Sequence, residues 1–364
     1  MSGTRRLEVA IMCHSLRRHL ADAVAAELAP WEVHIAEDDE LFAPHGTLRT
    51  SRKAWAMRDE DASHKLVLQD DVVLSDDFRD QVAAVLEALP GHAVAFHADW
   101  RSRNGMAARL GLWTNRSYVD GLPDFVPCQA LLLPAEVAEG FVRFTENWAD
   151  PDEGDDDVMR KYLTAEGVPL AVAAPSAVEH RRVASLSGND SHGVRAAAVF
   201  STDAGLWRSG VPRSLELPDT VPLLQGGRLL LYRRSGDAAQ RLRRTHEKVF
   251  HPDVVGFLTR DARSYVDGFG RHMSSRLREG RALEDLLSSR VLFDVWLFGA
   301  TLRELCGIDL AAFDDRGSAS SRALSRRAVE TAVIGGLFPV LTHDRLAEVA
   351  PDLADIAFAG NANW

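Results

Sequence analysis

The sequence predicts an α/β fold, a mixed but mostly parallel sheet with helices on both faces, followed by a mainly α-helical C-terminal domain. Three observations support this prediction. Short apolar runs alternate with amphipathic stretches up to about residue 210. Long apolar helical patterns follow, the clearest over Leu283–Leu305. The 364 residues exceed what one core usually holds, so we expect two domains, residues 1–210 and 211–364.

Composition and charge exclude several classes of function. The hydrophobic content of 46% and charged content of 26% are those of an ordinary globular protein. A net charge of −11 argues against nucleic acid or an anionic membrane surface as a partner. Cys13, Cys128 and Cys306 are widely spaced and odd in number, which predicts neither disulfides nor a thiolate metal site. Without a signal pattern or membrane-length segment, we expect a cytoplasmic protein.

The chain opens with a strand over Leu7–Met12, a short turn and a helix over Leu16–Leu28. Strand, tight turn and helix in this order are typical of nucleotide-binding α/β domains, with the turn at the ligand edge. The candidates to contact base, ribose or phosphate are His14, Ser15 and either Arg17 or Arg18. The alternative is that both arginines face solvent. The missing Gly-rich fingerprint argues against a nicotinamide or flavin enzyme.

A second strand over Trp31–Ala36 leads into an acidic loop and then the segment Gly46–Met57, in which we expect a helix that carries Trp55. Thr50 or Ser51 is expected to cap that helix. Arg49 carries positive charge toward the following strand, where it suits a metal and diphosphate; the alternative is that it balances the acidic loop.

The run His64–Leu74 is interrupted by two adjacent carboxylates, Asp70 and Asp71. Its apolar first half predicts a strand buried on both faces, so the acids lie at the sheet edge that binds ligands. Adjacent carboxylates repel each other, and a divalent cation with a ligand phosphate relieves that repulsion. The alternative is a solvated pair in a strand-to-helix loop.

Further strands and helices follow in alternation. We expect a helix from Phe78 to Leu89 and a strand over Val126–Pro134, which contains Gln129. Between them, Asp99–Asn115 has weak periodicity and several polar groups, which predicts a mobile loop covering the substrate.

The last part of this half contains an acidic helix start and a histidine. Three aspartates over Gly154–Val158 exceed what the helix dipole requires, so one of these carboxylates is a candidate general base. A strand over Val168–Ala174 is followed by His180. There it would complete a metal site or contact a diphosphate, or simply make a structural hydrogen bond.

Three segments, in this order, resemble a glycosyltransferase of the Rossmann-like GT-A fold, most closely the family 25, lipopolysaccharide-type enzymes. They are Gly46–Trp55 with Leu66–Val72, Gly154–Val158, and Pro175–His180. Together they cover roughly the first 200 residues, and their order and spacing make the combination specific. Where that family has a first acidic residue beside the aspartate pair, this chain has Gln69, which predicts weaker metal binding.

The resemblance implies roles for several residues. Asp71 and His180 would hold Mn²⁺ or Mg²⁺ on the diphosphate of a nucleotide-sugar donor, a UDP-sugar above others. Asp156 or Asp157 would deprotonate an unknown acceptor hydroxyl or amine in an inverting enzyme, and would only orient sugar or acceptor in a retaining one. The residues expected to contact the donor are His14, Ser15, Arg18, Arg49, Ser51, Asp70 and Gln129.

Two other functions stay open. A sugar nucleotidylyltransferase also places aspartates at strand ends, but Met12–Leu16 is not the Gly-rich phosphate loop that such an enzyme needs. The second is a degenerate GT-A domain that binds a ligand without catalysis. In that case the C-terminal helices would mediate assembly, for example into a homo-oligomer. The C-terminal half itself contains no catalytic motif.

Overall fold

The structure is a computed structural model. It describes residues 6–38, 46–57, 61–122, 125–150, 153–184, 186, 194–200, 216–234, 246–250, 253–278, 283, 285–312 and 319–362. The chain divides into two compact units: Met1–Asn104 with Arg116–Leu215, and Gly105–Asn115 with Glu216–Trp364. The sequence placed a single boundary at residue 210, whereas the structure also assigns the segment 105–115 to the second unit.

The first unit contains a seven-stranded mixed sheet in the order β2-β1-β3-β7-β5-β8-β6. Its strands are β1 Leu7–His14, β2 Val33–Asp38, β3 His64–Gln69, β5 Ala93–Ala95, β6 Tyr118–Asp120, β7 Ala130–Pro134 and β8 Leu170–Ala173. All strands share one direction except β6 and β7, which pair antiparallel with their neighbours. Two further strands, β4 Val72–Leu74 and β9 Val178–His180, form an antiparallel ribbon. An α/β fold with a mixed sheet is therefore confirmed.

Helices cover both faces of this sheet. The described helices of the first unit are α1 Arg18–Glu27, α2 Thr47–Ala56, α3 Phe78–Ala88, α5 Ala135–Thr145 and α6 Asp155–Glu166, whereas α4 Arg103–Trp113 belongs mostly to the second unit. Val9 and Ile11 of β1 belong to an apolar core that contains residues of α1 and α3. Alternate residues of a strand face opposite sides of the sheet. Helix α2 packs on the face opposite to the one that carries α1 and α3.

That other face contains a buried ion pair. Glu8 and Lys65 are opposite each other on β1 and β3, with Lys65 Nζ 3.2 Å from Glu8 Oε2. Lys65 Nζ also donates a hydrogen bond of 2.9 Å to the carbonyl of Trp55 in α2. Burial lowers the pKa of Lys65, and the Glu8 charge opposes that shift. The pair holds α2 against the sheet.

The start of α2 differs from the prediction. Gly46 is the N-cap, and Thr50 and Ser51 are buried within the helix, so neither caps it. Thr50 Oγ1 instead donates to Asp38 Oδ2 over 3.0 Å. A Cβ at Gly46 would lie 2.6 Å from that same carboxylate oxygen, which explains why the tight approach requires glycine here.

The prediction of a mobile loop over residues 99–115 is wrong. Most of that stretch is the helix α4, whose residues from Asn104 to Leu110 are all buried. Arg109 donates to Thr331 Oγ1 over 3.2 Å, and Trp113 Nε1 donates to Ser325 Oγ over 3.1 Å. A helix that is buried on nearly all sides has no polar face, and its sequence therefore lacks amphipathic periodicity.

The second unit combines helices with a small sheet. Its strands, β10 Thr220–Gln225, β11 Arg228–Arg234 and β12 His246–Phe250, form a three-stranded antiparallel sheet. Its helices besides α4 are α7 Ala262–Arg278, α8 Ser289–Cys306, α9 Ala319–Leu337 and α10 His343–Asn361. Within the described residues, no helix has both the length and the apolar character needed to cross a membrane.

Helices α8 and α10 pack with their backbones in contact. A Cβ at Gly299 would lie 1.8 Å from the carbonyl oxygen of Ala357, and one at Gly360 would lie 1.9 Å from that of Trp296. Only glycine permits so close an approach at either position.

Candidate functional site

The ends of several strands bring polar residues to one edge of the large sheet. β1 is parallel to β2 and β3, with His14 beside Asp38 and Met12 beside Gln69 at the carboxyl ends. Asp70 and Asp71 follow Gln69 directly. In open α/β sheets this edge is where ligands bind.

Two buried carboxylates form the centre of this edge. Asp70 and Asp71 are 6% and 5% exposed. The Arg17 guanidinium lies against both, with Nη1 3.1 Å from Asp71 Oδ2 and 3.5 Å from Asp70 Oδ1. The amide of His14 donates to Asp70 Oδ2 over 3.4 Å. Buried charges need such compensation, because burial removes their hydration.

The environment makes Asp70 a weaker acid than a free aspartate. Burial and the neighbouring Asp71 charge raise the pKa of Asp70 to about 6, although Arg17 and the His14 amide oppose the shift. The two acids therefore share a site in which one of them is easily protonated.

His180 comes to the same site from a distant part of the chain. β4 follows the acidic pair and pairs with β9, which sets His180 opposite Val72. His180 Nε2 lies 3.4 Å from Asp71 Oδ2, without hydrogen-bond geometry. Its Nδ1 donates to the carbonyl of Arg181 over 2.9 Å. Because a carbonyl oxygen can only accept, the ring proton is assigned to Nδ1. Burial lowers the pKa of His180, opposed by the Asp71 charge.

Of the two arginines after β1, only Arg17 approaches the acidic pair. Arg18, which the sequence included among the donor contacts, forms ion pairs with Asp22 and Glu37 over 2.9 and 2.8 Å. The 3₁₀ turn Ser15–Arg17 precedes α1 and decides which arginine faces the carboxylates. Ser15 lies half-buried in that turn. Nothing in the sequence distinguishes two adjacent arginines in this way.

Two of the remaining predicted donor contacts lie along the same edge. Arg49 Nη2 lies 2.7 Å from Asp38 Oδ2, so Arg49 balances the carboxylate that ends β2. The carbonyl of Gln129 accepts from the amide of Gln69 over 3.0 Å, and its buried Oε1 has no hydrogen-bond partner among the described residues. The third, Ser51, is buried inside α2.

The acidic start of α6 exposes its three aspartates to different degrees. Asp157 is exposed and forms an ion pair with Arg160 over 3.3 Å, and Asp156 is half-buried. Asp155 is 5% exposed, and its Oδ2 has no hydrogen-bond partner. Burial and the Asp156 charge raise the pKa of Asp155 to about 7, against a hydrogen bond from the Thr47 side chain.

Asp155 is the buried acid that sequence reasoning missed. A signal for it exists, because buried Val158, Met159 and Tyr162 follow it at helical spacing and place it on the inward face of α6. Burial, and then the Asp155 charge, raises the pKa of the Cys128 thiol, which places this carboxylate beside the residue before Gln129.

The expected divalent cation needs several ligands that lie close together. Among the residues the structure describes, no group of three His, Cys, Asp or Glu side chains is placed to hold a metal ion. The oxygen of Asp71 that faces His180 is also the one that Arg17 contacts. Metal binding by Asp71 and His180 stays a prediction, and no chemical step below depends on it.

No protein-family model matches this chain, and a search of curated proteins finds no match. The resemblance to GT-A glycosyltransferases therefore stays a prediction from the sequence motifs.

Proposed function

We propose that the first unit is a glycosyltransferase that moves a sugar from a nucleoside-diphosphate donor to an acceptor hydroxyl or amine. One observation carries the proposal. Asp71 and His180 come from two of the three segments that resemble this family, and they lie 3.4 Å apart at the ligand edge of the sheet. Motifs unrelated in function have no reason to meet in this way.

The donor would lie along the ends of β1, β2 and β3. Hydrogen-bonding groups such as His14 suit a base or ribose, and the Arg17 guanidinium suits phosphate oxygens. By the resemblance, the base is uracil. The cytoplasmic location expected from the sequence is consistent with a nucleotide-sugar donor.

The transfer would proceed by substitution at the anomeric carbon. The acceptor oxygen or nitrogen forms a bond to that carbon, and the bond from carbon to phosphate oxygen breaks. Its electron pair leaves on the nucleoside diphosphate, and the acceptor proton passes to a carboxylate. We assign that carboxylate to Asp155 or its neighbour Asp156, because Asp157 is exposed and paired with Arg160. A carboxyl whose pKa is about 7 suits a general base near neutral pH.

The test is donor binding followed by donor hydrolysis. We expect one of UDP, GDP, CDP or ADP to raise the melting temperature, and the matching nucleotide sugars to be hydrolysed slowly. Asp71→Asn should reduce both effects. Asp76→Asn, which changes an exposed acid in the turn after β4, is the matched control. If no nucleoside diphosphate or nucleotide sugar binds, the proposal is wrong.

One observation favours a second candidate, a GT-A-like domain that binds a nucleotide without catalysis. The acidic pair is already compensated by Arg17, and the third acidic position is Gln69. Such a module would bind a nucleotide sugar but release no free sugar, so the hydrolysis assay separates it from the transferase.

A further inference from the structure

One guanidinium lies against the acidic pair, and a second lies beside the strand that follows the pair. Arg17 contacts both carboxylates and also donates to the carbonyl of Ala184. Its side chain is 14% exposed. Because its acceptors come from separate segments, the Arg17 guanidinium is fixed in place before a ligand arrives.

Arg181 provides the second guanidinium. Its amide donates to the carbonyl of Asp71 over 2.7 Å, and its Nη2 donates to the carbonyl of Val72 over 3.3 Å. Its buried Nε has no hydrogen-bond partner among the described residues. A buried donor that lacks an acceptor is a site for an incoming anion.

The charges of this cluster balance without a metal ion. Asp70 and Asp71 carry at most two negative charges, and Arg17 and Arg181 carry two positive charges. His180 also lies at the pair, and its pKa is lowered by burial and further by the Arg195 charge. The Cys13 thiol lies near Asp70, and burial raises its pKa, so it adds no charge near neutral pH. Two bound carboxylates and a diphosphate would otherwise repel each other, and that repulsion is what a divalent cation relieves in a metal-dependent site.

Arg17 also keeps donors for a ligand. Of the five N–H groups of a guanidinium, those on Arg17 donate, among the described residues, to Asp71, to Ala184 and, over 3.5 Å, toward Asp70. The others match the spacing of phosphate oxygens, which arginine binds in a bidentate manner.

We propose that Arg17, assisted by Arg181, binds the diphosphate of the donor in place of a divalent cation, so that nucleoside diphosphates bind without metal. This inference rests on the proposed function, because it needs the diphosphate to lie at the acidic pair. It assigns the cationic role to this chain's own residues.

The experiment is isothermal titration calorimetry on the full chain with UDP, GDP, CDP and ADP, each in EDTA and each in MnCl₂. We expect the affinity of the preferred nucleotide to agree within about twofold between the two conditions. Arg17→Met should weaken it about tenfold or more in EDTA, because a charge-assisted contact is lost. Arg17→Lys should restore part of the loss, since it keeps the charge without the planar fork.

Arg143→Met is the control, since Arg143 is an exposed arginine of α5 whose ion pair is with Glu139 on its own helix. Circular dichroism verifies that each variant is folded, and the comparison of EDTA with MnCl₂ in the unaltered protein needs no variant. If a nucleotide binds only with Mn²⁺, this inference is overturned and the proposed function stands. If Arg17→Met binds in EDTA as tightly as the unaltered protein, the inference is again overturned. If no nucleotide binds in either condition, both fall.

Discussion

His180 Nε2 and Asp71 Oδ2 lie 3.4 Å apart, although more than a hundred residues of sequence separate them. The pairing of β4 with β9 brings them together. With its proton on Nδ1, the neutral imidazole presents the Nε2 lone pair to a carboxylate. Two acceptors that face each other favour a ligand donor between them, such as a ribose or sugar hydroxyl.

His180→Ala should therefore weaken binding of the preferred nucleotide sugar. The loss of one hydrogen bond inside a buried site predicts a decrease in affinity of about tenfold. Calorimetry measures it, and His19→Ala, on the exposed surface of α1, is the control. Equal affinities for His180→Ala and the unaltered protein would return His180 to a purely structural role.

Asp155→Asn should reduce turnover and spare donor binding. Loss of a general base lowers the rate by about a hundredfold or more, while the amide keeps the shape of the carboxyl group. Steady-state transfer and calorimetry measure the two effects separately. Asp157→Asn, at an exposed position two residues away, should transfer sugar normally. The assignment fails if Asp157→Asn alone is impaired.

The buried Asp155 also predicts a pH dependence of stability. Its folded-state pKa of about 7 exceeds the usual 3.8, so the folded protein binds a proton that the unfolded chain releases. The protonated carboxyl therefore contributes stability below about pH 4, and this contribution is lost as the pH rises through about 7.

Asp155→Asn should remove the loss of stability that the protein shows as the pH rises through about 7. Its melting temperature should match that of the unaltered protein at about pH 4 and exceed it at about pH 8. Differential scanning fluorimetry across the pH range measures the difference. A difference that stays constant with pH would show that Asp155 keeps an ordinary pKa.

Lys65→Met should destabilise the first unit, because it leaves Glu8 charged and buried on the sheet. Breaking a buried ion pair costs about 3–5 kcal/mol. The double variant Lys65→Met/Glu8→Leu should recover much of the loss in urea unfolding. Lys161→Met, at a partly exposed ion pair with Glu153, should cost about 1 kcal/mol or less. If the single and the double variant are equally unstable, Lys65 and Glu8 do not form a stabilising ion pair.

Hydrogen exchange distinguishes the helix α4 from the loop that the sequence predicts over residues 99–115. Amides from Met106 to Trp113 should exchange slowly, because they belong to a buried helix that bonds to Thr331 and Ser325. Rapid exchange throughout the segment would show a loop in solution. The exposed turn at Gly226, in the same unit, provides the fast-exchanging reference.

Local patterns alone determined much of the first unit. The apolar run before Asp70 predicts the buried strand β3, and the alternation of strands and helices predicts the α/β sheet, because these signals depend on neighbouring residues only. The acidic pair follows from its position after β3. The strand β6 was not predicted, because a short strand forms when distant partners supply its hydrogen bonds.

Only the tertiary structure decided which side chains meet. It selected Arg17 over Arg18, placed Asp155 inside and Asp157 outside, and turned residues 103–113 into a buried helix. Each of these outcomes depends on contacts between residues that lie far apart in the chain. Periodicity records which way a side chain faces within its own helix or strand, but it does not record what lies opposite. For that reason the residue types at the site could be named from the sequence, whereas their pairing could not.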